Sequence, residues 1–68
     1  MRKSGVVRWF DGSKGYGYIN TESGLEVFVH YLAITGQGLK NLAVGDRVEF
    51  DLEETYRGAQ AAQVVRLN

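Results

Sequence analysis

The 68 residues contain no cysteine and no proline, and a single histidine. Without thiols neither a disulfide framework nor a thiolate metal site can form, and one imidazole excludes a multi-histidine site. No metal and no cofactor is therefore expected, and the composition suits a reducing cytoplasm. There is also no apolar run long enough for a signal peptide or a membrane span behind the charged start at Arg2 and Lys3. The expectation is a soluble, cytoplasmic chain with no membrane partner. Net charge is missing as well. Eight Lys plus Arg offset eight Asp plus Glu, which argues against gripping a polyanion by bulk charge. A chain this short has room for one core, so residues 1–68 are read as one domain.

Catalytic patterns are absent too. Gly15 and Gly17 begin a dinucleotide-type glycine pattern, but its third position is Asn20 and no helix follows; Gly36 and Gly38 fail the same way at Asn41. A strand glycine such as Gly17 is better explained by close approach of a neighbouring strand. Glu53 and Glu54 are adjacent in an extended segment and point apart, which makes a poor acid/base pair. Ser4, Ser13 and Ser23 lie in loop-like positions with nothing to orient a triad. The chain reads as a non-enzyme with no small-molecule substrate.

What is present is a concentration of rings in residues 14–31, K-G-Y-G-Y-I-N-T-E-S-G-L-E-V-F-V-H-Y. In an extended strand side chains alternate between faces, so Tyr16 and Tyr18 share one face and Gly17 and Ile19 the other. After the turn at residues 21–24, Val27 and Val29 face one way and Phe28 and His30 the other. β-branched Ile19, Val27 and Val29 suit the interior. That assignment puts Tyr16, Tyr18, Phe28 and His30 outside as a cluster, the mark of a binding surface. Alternation alone also permits the reverse, with the rings inside.

Residues 45–53 supply the comparison. Val48, Phe50 and Leu52 alternate with Arg47, Glu49, Asp51 and Glu53, so a strand of this chain with one dry face writes charge on its wet face. The second and third strands write rings there instead. Further strands are expected at residues 4–10 and 59–67, the latter with Ala62 and Val64 inward, and a short helical turn at 31–34 with Ile34 buried. A glycine-punctuated loop follows at 35–44, anchored by Leu39 and Leu42. Five short strands without helix alternation predict an all-β fold, and closure into a barrel removes the edges a small open sheet would expose.

Charge has a direction although it has no sum. Residues 1–21 carry Arg2, Lys3, Arg8 and Lys14 against Asp11, whereas residues 46–54 carry Arg47 against Asp46, Glu49, Asp51, Glu53 and Glu54. Rings beside cations are what single-stranded nucleic acid requires: stacking an unpaired base contributes roughly 1 to 3 kcal/mol and tolerates most sequences. Trp9, Tyr16, Tyr18, Phe28, His30 and Tyr31 supply the rings, and Arg8, Lys14 and Arg57 the cations. Phe10 is open between core and site. Since neighbours on a regular strand face opposite ways, either it or Trp9 should be interior unless the strand is bulged, and Trp9 is the ligand-facing choice.

The runs G-V-V-R-W-F-D, K-G-Y-G-Y-I and V-F-V-H-Y, followed by A-I, G-L-K-N-L and R-G-A-Q-A-A, resemble a bacterial cold shock protein over nearly the whole chain. The two central runs resemble that family's pair of ribonucleoprotein motifs. The resemblance implies a five-stranded antiparallel barrel of the oligonucleotide-binding (OB) class that binds single-stranded RNA and DNA, acts as an RNA chaperone and influences transcription and translation under cold stress. It implies a stacking set at Trp9, Phe10, Tyr16, Tyr18, Phe28, His30 and Tyr31, with polar and cationic contacts at Arg8, Lys14, Glu26, Arg57 and Gln60. A monomer is expected. Five positions depart from the pattern: Leu39 for an aromatic, which shortens the platform by one ring, Asp11 for Asn, Leu32 for a small hydroxyl residue, Ala59 for Pro and Gln63 for Asn. Leu32 and Leu39 favour the rival reading, a small barrel that buries the same rings against a protein.

Overall fold

The computed structural model describes residues 2–35 and 41–67. They form strands β1 (Arg2–Asp11), β2 (Tyr16–Thr21), β3 (Glu26–His30), β4 (Arg47–Thr55) and β5 (Gly58–Arg66), with one 3-10 turn, η1 (Tyr31–Ala33), after β3. The sheet closes in the order β1-β2-β3-β5-β4, the five-stranded OB-class barrel. Every long ladder is antiparallel; the closing contact is parallel and thin, a Phe28–Gln60 pair and an Ile34–Val64 bridge. β1 is shared between two neighbours, pairing through Gly5–Asp11 with β2 and through Arg2–Val6 with β4.

The interior follows from the alternation. Val7, Ile19, Val27, Val29, Val48, Phe50 and Val64 are fully buried, and Ile34, Leu42 and Ala61 close over them. At about 25 cal/mol per Å² of apolar surface removed from water, side chains of this size each contribute on the order of 1.5 to 3 kcal/mol, so the core rests on very few residues. Ile34 and Leu42 are buried as expected from sequence; Leu39 lies outside the described residues.

β5 corrects one expectation. Ala61 and Val64 are buried, while Ala62 is only half-buried. The β4–β5 ladder steps from Glu49–Val65 to Asp51–Ala62, two residues on β4 against three on β5, a β-bulge centred on Gln63, whose φ is 51°. The extra residue shifts the alternation, so Ala61 and not Ala62 takes the inward position.

β1 carries the second bulge. Its pairing with β2 runs Val7–Ile19 and then Trp9–Tyr18, which leaves Arg8 as the extra residue. With Val7 inward, unbroken alternation would turn Trp9 into the barrel. The bulge keeps Trp9 on the outer face beside Tyr18, and Phe10 instead points inward opposite Gly17, half-buried against the core. Gly17 is what allows this. A Cβ there would run into the Trp9 carbonyl oxygen and come within 2.6 Å of Phe10 Cα, so close approach of β1 is its role.

Candidate nucleic-acid interface

Register builds the outer face of β1, β2 and β3. Trp9 pairs with Tyr18, Tyr18 with Phe28, and Tyr16 with His30, so directly opposed residues set five rings side by side. Trp9 lies 5.6 Å from Tyr16 and 6.4 Å from Tyr18 between ring centroids. Phe28 lies 5.8 Å from Tyr16 and 5.7 Å from Tyr18. Interplanar angles in these pairs run from 30° to 74°; none is a parallel stack, so ring surface stays open to a flat ligand. Trp9 and Tyr18 are 41% and 36% exposed, and Tyr16, Phe28 and His30 are half-buried.

The row continues onto η1. His30 caps that turn: its Nδ1 accepts a hydrogen bond from the Leu32 amide at 3.2 Å. In the neutral imidazole this leaves Nε2 as the protonated nitrogen, a donor available to a ligand. The Tyr31 ring sits 4.7 Å from His30 and is held from below by Gly15, whose carbonyl accepts the Tyr31 amide at 2.8 Å. Gly15 has φ of 80°, and a Cβ there would stand 2.7 Å from Tyr31 Cδ1, so both backbone and space require glycine.

The cations are sorted by the acidic strand. Arg2 bridges to Glu49 and Asp51 at 3.4 and 3.5 Å, and Arg66 to Asp46 at 3.5 Å, away from the rings. Among the described residues Arg8, exposed at the β1 bulge, and Lys14, exposed in the β1–β2 turn, are in no such pair. Asp11 lies in the same turn, but its Oδ1 is engaged: it accepts from the Ser13 hydroxyl at 2.7 Å and from the Ser13 and Lys14 amides at 2.9 and 3.2 Å. These bonds, the Ser13 hydroxyl foremost and then the Lys14 amide, hold its carboxyl below the ordinary aspartate value.

Glu26, Arg57 and Gln60 come together at the other end. They line one cleft of about 330 Å³ with Tyr18, Phe28, Thr55, Gly58 and Ala59. The Phe28–Gln60 pair that closes the barrel is what brings them there. Thr55, Gly58 and Ala59 were not anticipated from sequence, because it takes the closed barrel to bring the β4–β5 hairpin to the edge of β3. Of the anticipated residues, Phe10 is turned toward the core side and Leu39 lies outside the described residues; the remainder form one surface from Arg8 to Arg57. Among the described residues no group of His, Cys, Asp and Glu is arranged to hold a metal ion.

A closed OB-class barrel with an outward row of rings flanked by cations defines the class of small oligonucleotide-binding barrels. The family described as the 'Cold-shock' DNA-binding domain matches residues 3–67. The chain is 49% identical over 67 residues to the cold shock-like protein CspE of Bacillus anthracis, covering 98% of this chain and 100% of that protein. It is 51% identical over 63 residues to the cold shock protein CspB of Geobacillus stearothermophilus (93% of this chain, 96% of that protein), and 48% identical over 63 residues to the major cold shock protein of Streptococcus pyogenes (93% and 94%). Among solved structures, the Drosophila Unr CSD456 superposes with a TM-score of 0.77 at 21% identity, over 100% of this chain and 27% of that one, a likeness of fold. The chain belongs to the cold shock domain family.

Proposed function

We propose that this protein binds single-stranded RNA and DNA with low sequence specificity, laying about six or seven nucleotides across the outer face of β1, β2 and β3. The observation that carries the reading is the outward cluster of Trp9, Tyr16, Tyr18 and Phe28 in ring contact, joined to the His30–Tyr31 pair through the Tyr16–His30 register, with Arg8 and Lys14 exposed in the same segment of chain. Bases stack on the rings, and the cations follow the phosphates. Glu26 and Gln60, at the cleft, offer an acceptor and an amide to base edges.

Stacking with an unpaired base competes with base pairing, so the protein traps melted segments without ATP and without cutting them. Acting as a monomeric, single-domain, non-catalytic RNA chaperone of the cytoplasm, it keeps transcripts open for transcription and translation in the cold. Several stacks at ~1 to 3 kcal/mol each, less the cost of association, correspond to affinities between micromolar and nanomolar.

The test is a titration of Trp9 fluorescence with short thymidine oligomers. Saturable quenching supports the reading; emission that responds only to the protein's own concentration overturns it in favour of a protein-interaction module. Leu32, 69% exposed next to Tyr31, is the residue that favours that rival.

A further inference from the structure

Tyr56 stands at the tip of the β4–β5 hairpin and is 93% exposed, a full aromatic ring with no part in the core. The turn that carries it is fixed. The Thr55 hydroxyl accepts from the Arg57 amide at 3.1 Å and donates to the Gly58 carbonyl at 2.9 Å. The Arg57 guanidinium lies over the Tyr56 ring, 5.5 Å from its centroid. A ring and a cation are thus held as one unit, the pair of chemistries that a nucleotide's base and phosphate ask for.

The hairpin that carries this unit lies beyond the Phe28 edge of the row of rings. Phe28 pairs with Gln60, Gln60 with Glu53, and two residues further the hairpin ends at the Thr55–Gly58 pair, roughly 7 Å beyond at the rise of a strand. The space between is the cleft of about 330 Å³, with Tyr18 and Phe28 on one side and Thr55, Arg57 and Gly58 on the other. In order across the sheet come Trp9, Tyr18, Phe28 and the cleft, whose far wall includes Arg57, the residue whose guanidinium lies over the Tyr56 ring.

We infer that Tyr56, with Arg57 beside it, is an additional base-stacking station at the β5 end of the platform, taking one more unpaired nucleobase of a strand that already crosses Tyr18 and Phe28. The inference rests on the function proposed above. It assigns the ring of Tyr56, and not its hydroxyl, to the ligand. Where Leu39 stands in place of an aromatic expected from the family resemblance, Tyr56 supplies a ring at the β4–β5 hairpin.

The experiment measures affinity by Trp9 quenching for thymidine oligomers from about four to about ten nucleotides, with the full chain. Tyr56→Ala is expected to weaken binding of the longest oligomers about tenfold, to leave the shortest unaffected, and to shorten by one nucleotide the length at which affinity stops rising. Tyr56→Phe is expected to match the parent at every length. In a Trp9→Phe background, Tyr56→Trp places the reporter at the station itself, and its emission is expected to fall only with the longer oligomers. A Tyr56→Ala protein that matches the parent at all lengths, or weakens equally at all of them, overturns the station and leaves the platform standing. A parent chain that no oligomer quenches overturns both.

Discussion

Trp9 faces Tyr18 across β1 and β2, two residues on from a Val7 that faces the core. Two positions along a regular strand return to the same face, so the bulge at Arg8 is what puts the indole outside. The same bulge leaves Arg8, the preceding residue, exposed. One inserted residue therefore supplies both a stacking surface and a cation to the same point of the platform.

The rings are expected to be dispensable for folding and indispensable for binding. Tyr18→Ala or Phe28→Ala should weaken oligothymidine binding at least tenfold, the loss of about one stack, while the circular dichroism spectrum stays that of the parent. Fluorescence titration and thermal melts on the same samples separate the two effects. Unchanged affinity in both variants would remove the platform from the mechanism.

Phosphate contact predicts a shallow salt dependence. Three cations, Arg8, Lys14 and Arg57, each at about −0.7 for single strands, give a slope near −2 for log K against log salt. Changing any one of them to Gln should reduce the slope by roughly 0.7. A slope near zero would exclude all three from the phosphate path.

Asp11 is predicted to oppose binding while supporting its own turn. Asp11→Asn keeps an oxygen acceptor for Ser13 and Lys14 and removes a negative charge beside Lys14, so affinity for oligonucleotides should rise a few-fold at low salt and less at high salt. Its depressed carboxyl pKa also sets a pH signature. A carboxyl whose folded-state value lies below its unfolded one contributes stability that is complete above the unfolded value of about 3.9 and is lost as pH falls through the folded value below it. Melting temperatures of parent and Asp11→Asn should therefore keep a constant difference from neutral pH down to about 5 and change relative to one another only below about 4. A difference that varies between pH 5 and 7 would contradict this assignment.

Backbone strain at the β5 bulge is open to relief. Gln63 holds φ of 51°, a left-handed conformation that Asn and Gly adopt at lower cost. Gln63→Asn should stabilise the protein by about 0.5 to 1 kcal/mol, a rise of several degrees in Tm for a domain of this size. Gly17→Ala should do the reverse, since its methyl meets the Trp9 carbonyl and Phe10 backbone; about 1 to 3 kcal/mol lost would be read in the same melts.

Alternation was enough to sort Val27 and Val29 from Phe28 and His30, because β3 is short and regular, and the charged outer face of β4 marked the rings of β2 and β3 as exposed by contrast. Bulges were not legible. Whether an extra residue falls at Arg8 or Gln63 depends on which partner strand the chain meets and how far the sheet must bend to close, and neither is a local property. That is why simple alternation puts Ala62 inward on β5 where Ala61 is, and why it leaves Phe10 open between core and site although Trp9 is the ligand-facing choice. The cleft under Arg57 was hidden for a similar reason: Phe28 and Gln60 are neighbours only after closure.

That closure has a kinetic side. The seam between β3 and β5 is held by the Phe28–Gln60 pair, the Ile34–Val64 bridge and the bonds of the Thr35 amide and hydroxyl to the Val64 carbonyl, 2.8 and 3.0 Å. It is the thinnest ladder of the barrel, so its opening under thermal fluctuation is expected to cost the least. A nucleic acid strand touching both Phe28 and Gln60 would bridge that seam from outside, and the exchange of the Thr35 amide proton would then slow on binding: the cargo acts as the last stave of the barrel.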